Sequence, residues 1–535
     1  MKRLPLPLLI ALGLVLVASF SGSARADGNN KSCADNAWMC TEVADSIGYD
    51  GEYTGHDEPS LLFYSDTAGS GNSNSYTLVL PQEPAQMPSQ DGLGATWSFQ
   101  LHPAFWFGMA LCDTQSAPEF QHDTCAPDSD ANIFDSANPA DPGYIGHHPG
   151  TAFMEMQFYP PGWAAWEQGV SCDATKWCAA MTIDSLSVSY VDGTVQNHDC
   201  LNHAGPEPVS FAFITHDGTP QASPDPTTDF HAPFAATTVD PSKDLLMSGG
   251  DRLTVDMHDT PDGFQVVIND LTSGDSGSMT ASVANGFRQV LYEPKSSSCH
   301  TAPYAYHPMY STSGVHTRVP WAAHGYNVAF SDEIGHFEYC SKVVGYGCGA
   351  PAANDPNGSD GDEAPCFGPT ESLLVPIGGC VGTDFDFDGV PYQPGAWPGT
   401  NSTTPTTTPV QFTSPLFNGT EDYTKVAFET DLPRIEAPDS GGICNRTTGE
   451  NCTNLPPGAN FYPVYTTGTL TGGQCVWQLG GENIPGTTQT FGASPQEYGS
   501  LFQLTYPQPP PANSVTRFNN FRRVLDTNPC PAAAG

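Results

Sequence analysis

In TAFMEMQFYPPGW, residues 151–163, a glutamate and a glutamine stand two positions apart inside an otherwise apolar run. Side chains of an extended strand alternate between its two faces, so Met154, Met156 and Phe158 share one face while Phe153, Glu155, Gln157 and Tyr159 share the other. A carboxyl on a polar face beside an amide is the raw material of acid/base chemistry, which makes Glu155, as nucleophile or base, and Gln157 candidate catalytic residues. A second constellation lies in WAAHGYNVAFSDEIGHFEYC, 321–340. If its last part is a strand, His336 and Glu338 share a face and Glu333 sits at the turn before them. A histidine with a carboxylate can be an acid/base pair or two metal ligands, and Glu338 or Glu333 is the candidate acid opposite Glu155. The structural alternative is a hydrogen-bonded His–Glu pair beside Cys340.

Binding chemistry has its own candidates. YAYHPMYSTSGVHTRVPW, 304–321, supplies Tyr304, Tyr306, His307, Arg318 and Trp321, which with Trp163 are suited to stacking on sugar rings and hydrogen-bonding their hydroxyls. Aromatics beside proline are also routine packing. In the run Asp384-Phe385-Asp386-Phe387-Asp388-Gly389, alternate aspartates followed by a glycine turn aim hard oxygen ligands at one point. Asp384, Asp386 and Asp388 are therefore candidate calcium ligands. A complete EF-hand is excluded, because the twelfth loop position is Gly395 rather than an acid. SGDSGS, 273–278, has the wording of a serine nucleophile loop, but it ends a hairpin whose turn already explains its Gly and Ser.

The elements that must position these residues are strands. TWSFQLHP alternates, AFWFGMALC is the continuous apolar run of a doubly covered strand, and RLTVDMHDTPDGFQVVIND reads as a hairpin turning at Pro261-Asp262-Gly263. With 54 Gly and 50 Pro and almost no helical periodicity, the expected class is all-β, a β-sandwich. The expected organisation is a sandwich domain over 27–345, a disulfide-stabilised irregular Cys/Asp/Gly-rich segment over 346–400, a Thr/Pro linker or loop over 401–412, and a β-rich C-terminal region over 413–535.

Residues 1–26 have the form of a secretion signal: Lys2 and Arg3, an apolar run from Leu8 to Phe20, then Ala24-Arg25-Ala26. No later run is long and apolar enough to span a bilayer, so membrane insertion is not expected. Sixteen cysteines without a C-x-x-C pair read as disulfides of a secreted, extracellular protein, with Cys33–Cys40, Cys112–Cys125 and Cys444–Cys452 the closest candidate pairs. The net charge of −41 repels phosphate backbones and anionic lipid, which excludes nucleic acid as a partner. It suits a neutral polymer or bound cations.

The stretch GDRLTVDMHDTPDGFQVVINDLTSGDSG resembles the paired strands of concanavalin A-like jelly rolls, the fold of many secreted glucanases, legume-type lectins and glutamic peptidases. The resemblance covers about residues 50 to 345 in strand rhythm, and the whole chain is similar to a class of exported bacterial proteins. It implies a concave sheet face lined by polar and aromatic side chains. Glucanases of this fold place two Glu with an intervening Asp on one strand; here the positions read Glu155, Gln157 and Tyr159, so only the first matches. The sequence thus supports three readings: a protein that acts on or binds extracellular polysaccharide, as a glycoside hydrolase or otherwise; a non-enzymatic, calcium-stabilised matrix or glycan-binding protein; and an acid-active glutamic-type peptidase built on Glu155 and Gln157.

Overall fold

The alternation along 252–270 is realised as a two-residue hairpin. Arg252–Thr260 pairs with Gly263–Asp270 so that Thr260 faces Gly263 and Met257 faces Val266. Gly263 has φ +138°, and a Cβ there would lie 2.3 Å from the Ala281 carbonyl oxygen, so the turn requires the missing side chain. The following turn is held by Asp270, whose Oδ1 accepts the N–H groups of Thr272 (2.8 Å) and Ser273 (3.1 Å). Ser273 is thereby used as a turn residue, in line with the sequence pattern.

The computed structural model describes residues 60–64, 73–82, 98–100, 105–115, 151–161, 172–173, 175–185, 200, 209–227, 239–293, 295–308, 327–330, 334–337, 377–378, 410–417, 419–432, 464–470, 472–479, 497–499, 519–525 and 527–532. The expected signal segment and the acidic loop at 384–389 lie outside them. Among the described residues the regular structure is nearly all β, and the strand pairings are antiparallel.

Two large sheets carry most strands. A nine-stranded sheet runs from Asn519–Leu525 through Lys425–Leu432, Ser60–Tyr64, Asn327–Phe330, Phe105–Cys112, Thr151–Tyr159 and Lys176–Ser185 to Val209–Phe213, with Met247–Ser248 also paired to Lys176–Ser185. A ten-stranded sheet runs from Ser276–Thr280 through Gly263–Asp270, Arg252–Thr260, Ser73–Val79, Gln411–Phe412, Cys475–Leu479 and Val464–Thr469 to Glu497–Gly499, with Leu416–Phe417 and Glu421–Asp422 alongside. Strands from beyond residue 410 therefore build both sheets, pairing directly with the earliest described strands, Ser60–Tyr64 and Ser73–Val79.

One apolar cluster lines both sheets. Met154, Met156, Phe158, Phe105, Phe107 and Met109 of the first sheet and Tyr76, Leu78, Leu253, Val255, Met257 and Val266 of the second are buried within it. Tyr76 lies against Phe107 across the two sheets at 4.3 Å between ring centroids, and Phe105 stacks on Phe158 at 4.8 Å. The chain passes between sheets just after Phe213: Ile214 N–H donates to the Ala179 carbonyl of the first sheet, and the Thr215 carbonyl accepts the N–H of Ser278 in the second. Gly277 makes that approach possible, since a Cβ there would stand 2.9 Å from Ile214 Cγ2 and 3.0 Å from the Thr215 carbonyl oxygen.

Disulfides join Cys172 to Cys178, Cys200 to Cys299 and Cys475 to Cys530. Cys112 is disulfide-bonded as well. Cys33, Cys40, Cys125, Cys444 and Cys452 lie outside the described residues. No helix among the described residues is long and apolar enough to cross a membrane.

Candidate active site on the Glu155 strand

The strand Thr151–Tyr159 is sixth in the order of the nine-stranded sheet, between Phe105–Cys112 and Lys176–Ser185. Its apolar positions behave as the alternation requires: Met154, Met156 and Phe158 are fully buried in the core shared by the two sheets. Glu155, Gln157 and Tyr159 must then stand on the opposite face. That face is largely covered, with Gln157 part-exposed between two buried neighbours. Glu155 is 9% exposed and Tyr159 is 2% exposed.

Register fixes the neighbours on this face. Glu155 lies between Gly108 on one side and Thr182 on the other. Gln157 lies between Trp106 and Ala180, and Phe211 and Phe213 continue the same two rows on the next strand. Tyr159 joins Cys172, Cys178, Ala180, Phe211 and Phe213 in a second apolar cluster, separate from the main core. The face thus combines an aromatic and disulfide-bearing wall with a short column of polar groups.

The polar column is connected. Tyr159 Oη donates to Gln157 Oε1, and Gln157 Nε2 donates to Glu155 Oε2 at 2.5 Å. Thr182 Oγ1 donates to the Glu155 carbonyl oxygen at 3.2 Å. Burial raises the Glu155 carboxyl from 4.5 to about 7, against the smaller lowering effect of the Gln157 hydrogen bond. A carboxyl at that value exchanges protons at neutral pH, which is what a general acid or base requires. The Tyr159 hydroxyl is pushed well up, first by burial and then by the negative charges of Glu155 and Asp184, so it acts as a hydrogen-bond donor rather than a phenolate.

Asp184 is the residue the strand reading missed. It stands 8% exposed on the neighbouring strand, where Met181 and Ile183 are buried in the core. Alternation therefore turns Asp184 to the Glu155 face. The signal was present in KWCAAMTIDS, where Trp177, Ala179, Met181 and Ile183 alternate against Cys178, Ala180, Thr182 and Asp184.

The other candidates are spread out. His336 belongs to a small separate sheet, paired with Ser98 and Gly378, so strand pairing does not bring it to the Glu155 strand. Glu333 and Glu338 lie outside the described residues, as do Trp163, Arg318, Trp321, Asp384, Asp386 and Asp388. Tyr306 is fully buried in the main core, with its hydroxyl donating to the Arg288 carbonyl at 3.0 Å, which commits its ring to packing. Tyr304 packs edge-on against it at 4.8 Å, and its hydroxyl is raised by burial and by Asp113. His307 Nδ1 is paired with Asp259 Oδ1 at 2.7 Å. Among the described residues no group of three or more His, Cys, Asp or Glu is placed to hold a metal ion.

A second raised carboxyl, Asp244, serves the loops instead. Burial lifts it to about 6, while it accepts hydrogen bonds from Gln221 Nε2 at 2.5 Å and the Asp240 N–H at 2.7 Å.

No family model and no curated protein matches the chain. Two solved structures align with it. One is the enzymatically active domain of tailspike protein 2 from bacteriophage CBA120, at 9% identity and a TM-score of 0.17, over 52% of this chain and 23% of that one. The other is full-length tailspike protein 2 from Escherichia coli O157:H7 bacteriophage CAB120, at 9% identity and a TM-score of 0.16, over 50% and 18%. This chain thus spans under a quarter of either protein, and the meaning of the site rests on its own residues.

Proposed function

We propose that this is a secreted protein of concanavalin-like jelly-roll type that acts on extracellular polysaccharide, with Glu155 as its acid/base group. The observation that carries the reading is the Glu155 carboxyl itself: buried, hydrogen-bonded by Gln157 and held near neutrality on a strand of the nine-stranded sheet. In this reading Glu155 delivers a proton to the glycosidic oxygen as the bond breaks, Gln157 holds its carboxyl in place, and Tyr159 fixes the Gln157 amide from behind. The large negative charge favours a neutral polymer over an anionic one. Asp384, Asp386 and Asp388 complete the reading as a calcium loop away from this face in sequence, a role in which added calcium raises the melting temperature.

The test is reducing-end release by the purified protein on a panel of soluble and insoluble polysaccharides, with Glu155→Gln in parallel. The reading predicts release that the variant loses by about 10²-fold or more. Retention on an insoluble glycan without release from any polymer would move the protein to the non-enzymatic glycan-binding class.

The direct Glu155–Gln157 hydrogen bond also favours a second reading, a glutamic-type peptidase in which the carboxyl activates water and the amide stabilises the developing oxyanion. Cleavage of unfolded protein substrates, assayed from pH 4 to pH 8 and rising as the Glu155 carboxyl ionises near 7, lost in Gln157→Ala, is the result that distinguishes it.

A further inference from the structure

We propose that Asp184 is the second carboxylate of the Glu155 site, placed to activate the water that replaces the leaving sugar. The inference rests on the polysaccharide-hydrolase reading and deepens it. Glu155 is directly opposite Thr182, and the next same-face position on that strand is Asp184, which is opposite Phe153. Asp184 is therefore the diagonal cross-strand neighbour of Glu155. Diagonal neighbours on one face of an antiparallel pair stand about 7–8 Å apart. Side chains leave a sheet roughly in parallel, so that spacing carries outward to the carboxyl groups.

The spacing suits a particular chemistry. Carboxyls about 6.5–9.5 Å apart leave room for a water between one of them and the sugar ring, whereas direct attack by a carboxylate needs about 5–5.5 Å. Glu155 has no side chain beside it on its other flank, where Gly108 occupies the register position. Thr182, opposite Glu155 and two residues before Asp184, donates its hydroxyl to the Glu155 carbonyl oxygen. Tyr159 feels the charge of both Glu155 and Asp184, which places the two carboxyls in one electrostatic neighbourhood.

The step balances without a co-reactant. Glu155 gives its proton to the glycosidic oxygen as the C–O bond to the anomeric carbon breaks. Water oxygen forms the new bond to that carbon and loses a proton to Asp184. The leaving sugar departs as an alcohol, the other product is a hemiacetal of inverted configuration, and solvent returns the proton from Asp184 to Glu155.

The experiment compares the full-length wild type, Glu155→Gln and Asp184→Asn on the polysaccharide that the wild type degrades, with azide as an added nucleophile and the product anomer read by NMR. Asp184→Asn is expected to lose about 10³-fold of release at an unchanged melting temperature. Azide is expected to restore turnover and give a glycosyl azide of inverted configuration, a recovery that a merely structural role would not produce. Full release by Asp184→Asn while Glu155→Gln is inactive overturns the role of Asp184 and leaves the reading of Glu155 standing. Wild-type release with retained configuration likewise overturns the water-activating role. Release unaffected by either substitution, or absent on every polymer, removes the underlying reading and the inference with it. If Asp184→Asn does not fold, Asp184→Glu keeps the charge and displaces it by one methylene; a drop of about tenfold or more supports the assignment, and unchanged release overturns it.

Discussion

The strands Thr151–Tyr159 and Arg252–Thr260 begin from the same grammar and end in different environments. Both alternate apolar with polar residues, and both put their apolar set into the one core between the sheets. Along Arg252–Thr260 the polar set, Thr254, Asp256 and His258, stays part-exposed. Its neighbours bond locally, Asn269 Nδ2 to Thr254 Oγ1 at 3.0 Å and Gln265 Nε2 to Thr280 Oγ1 at 2.8 Å. Along Thr151–Tyr159 the corresponding face is largely covered: Glu155 and Tyr159 are buried, Tyr159 among Phe211, Phe213 and the Cys172–Cys178 bridge, and Gln157 is part-exposed. Period-two patterning sorts residues between faces; it does not say which outer face will be left in water. That second fact is what converts an ordinary glutamate into one that titrates near neutrality.

The contrast can be broken at several strengths. The largest effect belongs to the core side of the Glu155 strand: Phe158→Ala removes a ring stacked on Phe105 and is expected to destabilise by about 3–5 kcal/mol in denaturant titration. Next is the pH dependence of Glu155. Its folded-state value is raised, so its contribution to stability is full below about 4.5 and is lost as pH rises through about 7. Glu155→Gln should therefore match the wild type at pH 4 and exceed it by on the order of 3 kcal/mol at pH 8, the linkage equivalent of that shift. Equal stability of the two proteins at both pH values would mean that the carboxyl is solvated, and the contrast between the faces would fall.

A smaller effect is expected at Tyr159→Phe, which removes only the hydroxyl donated to Gln157 and should cost about 1 kcal/mol in thermal unfolding. It should also shift the pH profile of any Glu155-dependent activity, because Gln157 loses its anchor. The smallest belongs to the open face. Gln265→Ala deletes one half-exposed bond and should stay within about 0.5 kcal/mol of wild type. A loss comparable to that at Tyr159 would place the two faces in the same class.

Much of the fold was legible because its signals are local. The Pro261-Asp262-Gly263 turn follows from the need for a positive φ in a tight hairpin, and the burial of Met154, Met156 and Phe158 follows from alternation alone. The proposed site was half legible for the same reason. Glu155 and Gln157 share a strand, so their contact is a matter of spacing, whereas Asp184 comes from a strand whose partner register no local pattern states. Pairing by nearness in sequence also misleads: Asn327–Phe330 enters the nine-stranded sheet, while Ile334–Phe337, a few residues on, joins another and carries His336 with it.

By itself the sequence determined the class of secondary structure, the inward set of each strong strand and the chemical character of the Glu155 column, since all three depend on residue type and on a period of two. Only the tertiary structure decided which strands are neighbours, that chain from beyond residue 410 builds both sheets, and that Glu155 is covered while Asp256 is not. Those facts depend on contacts between residues as much as several hundred positions apart, whose energies exist only once the sheets have closed on one another.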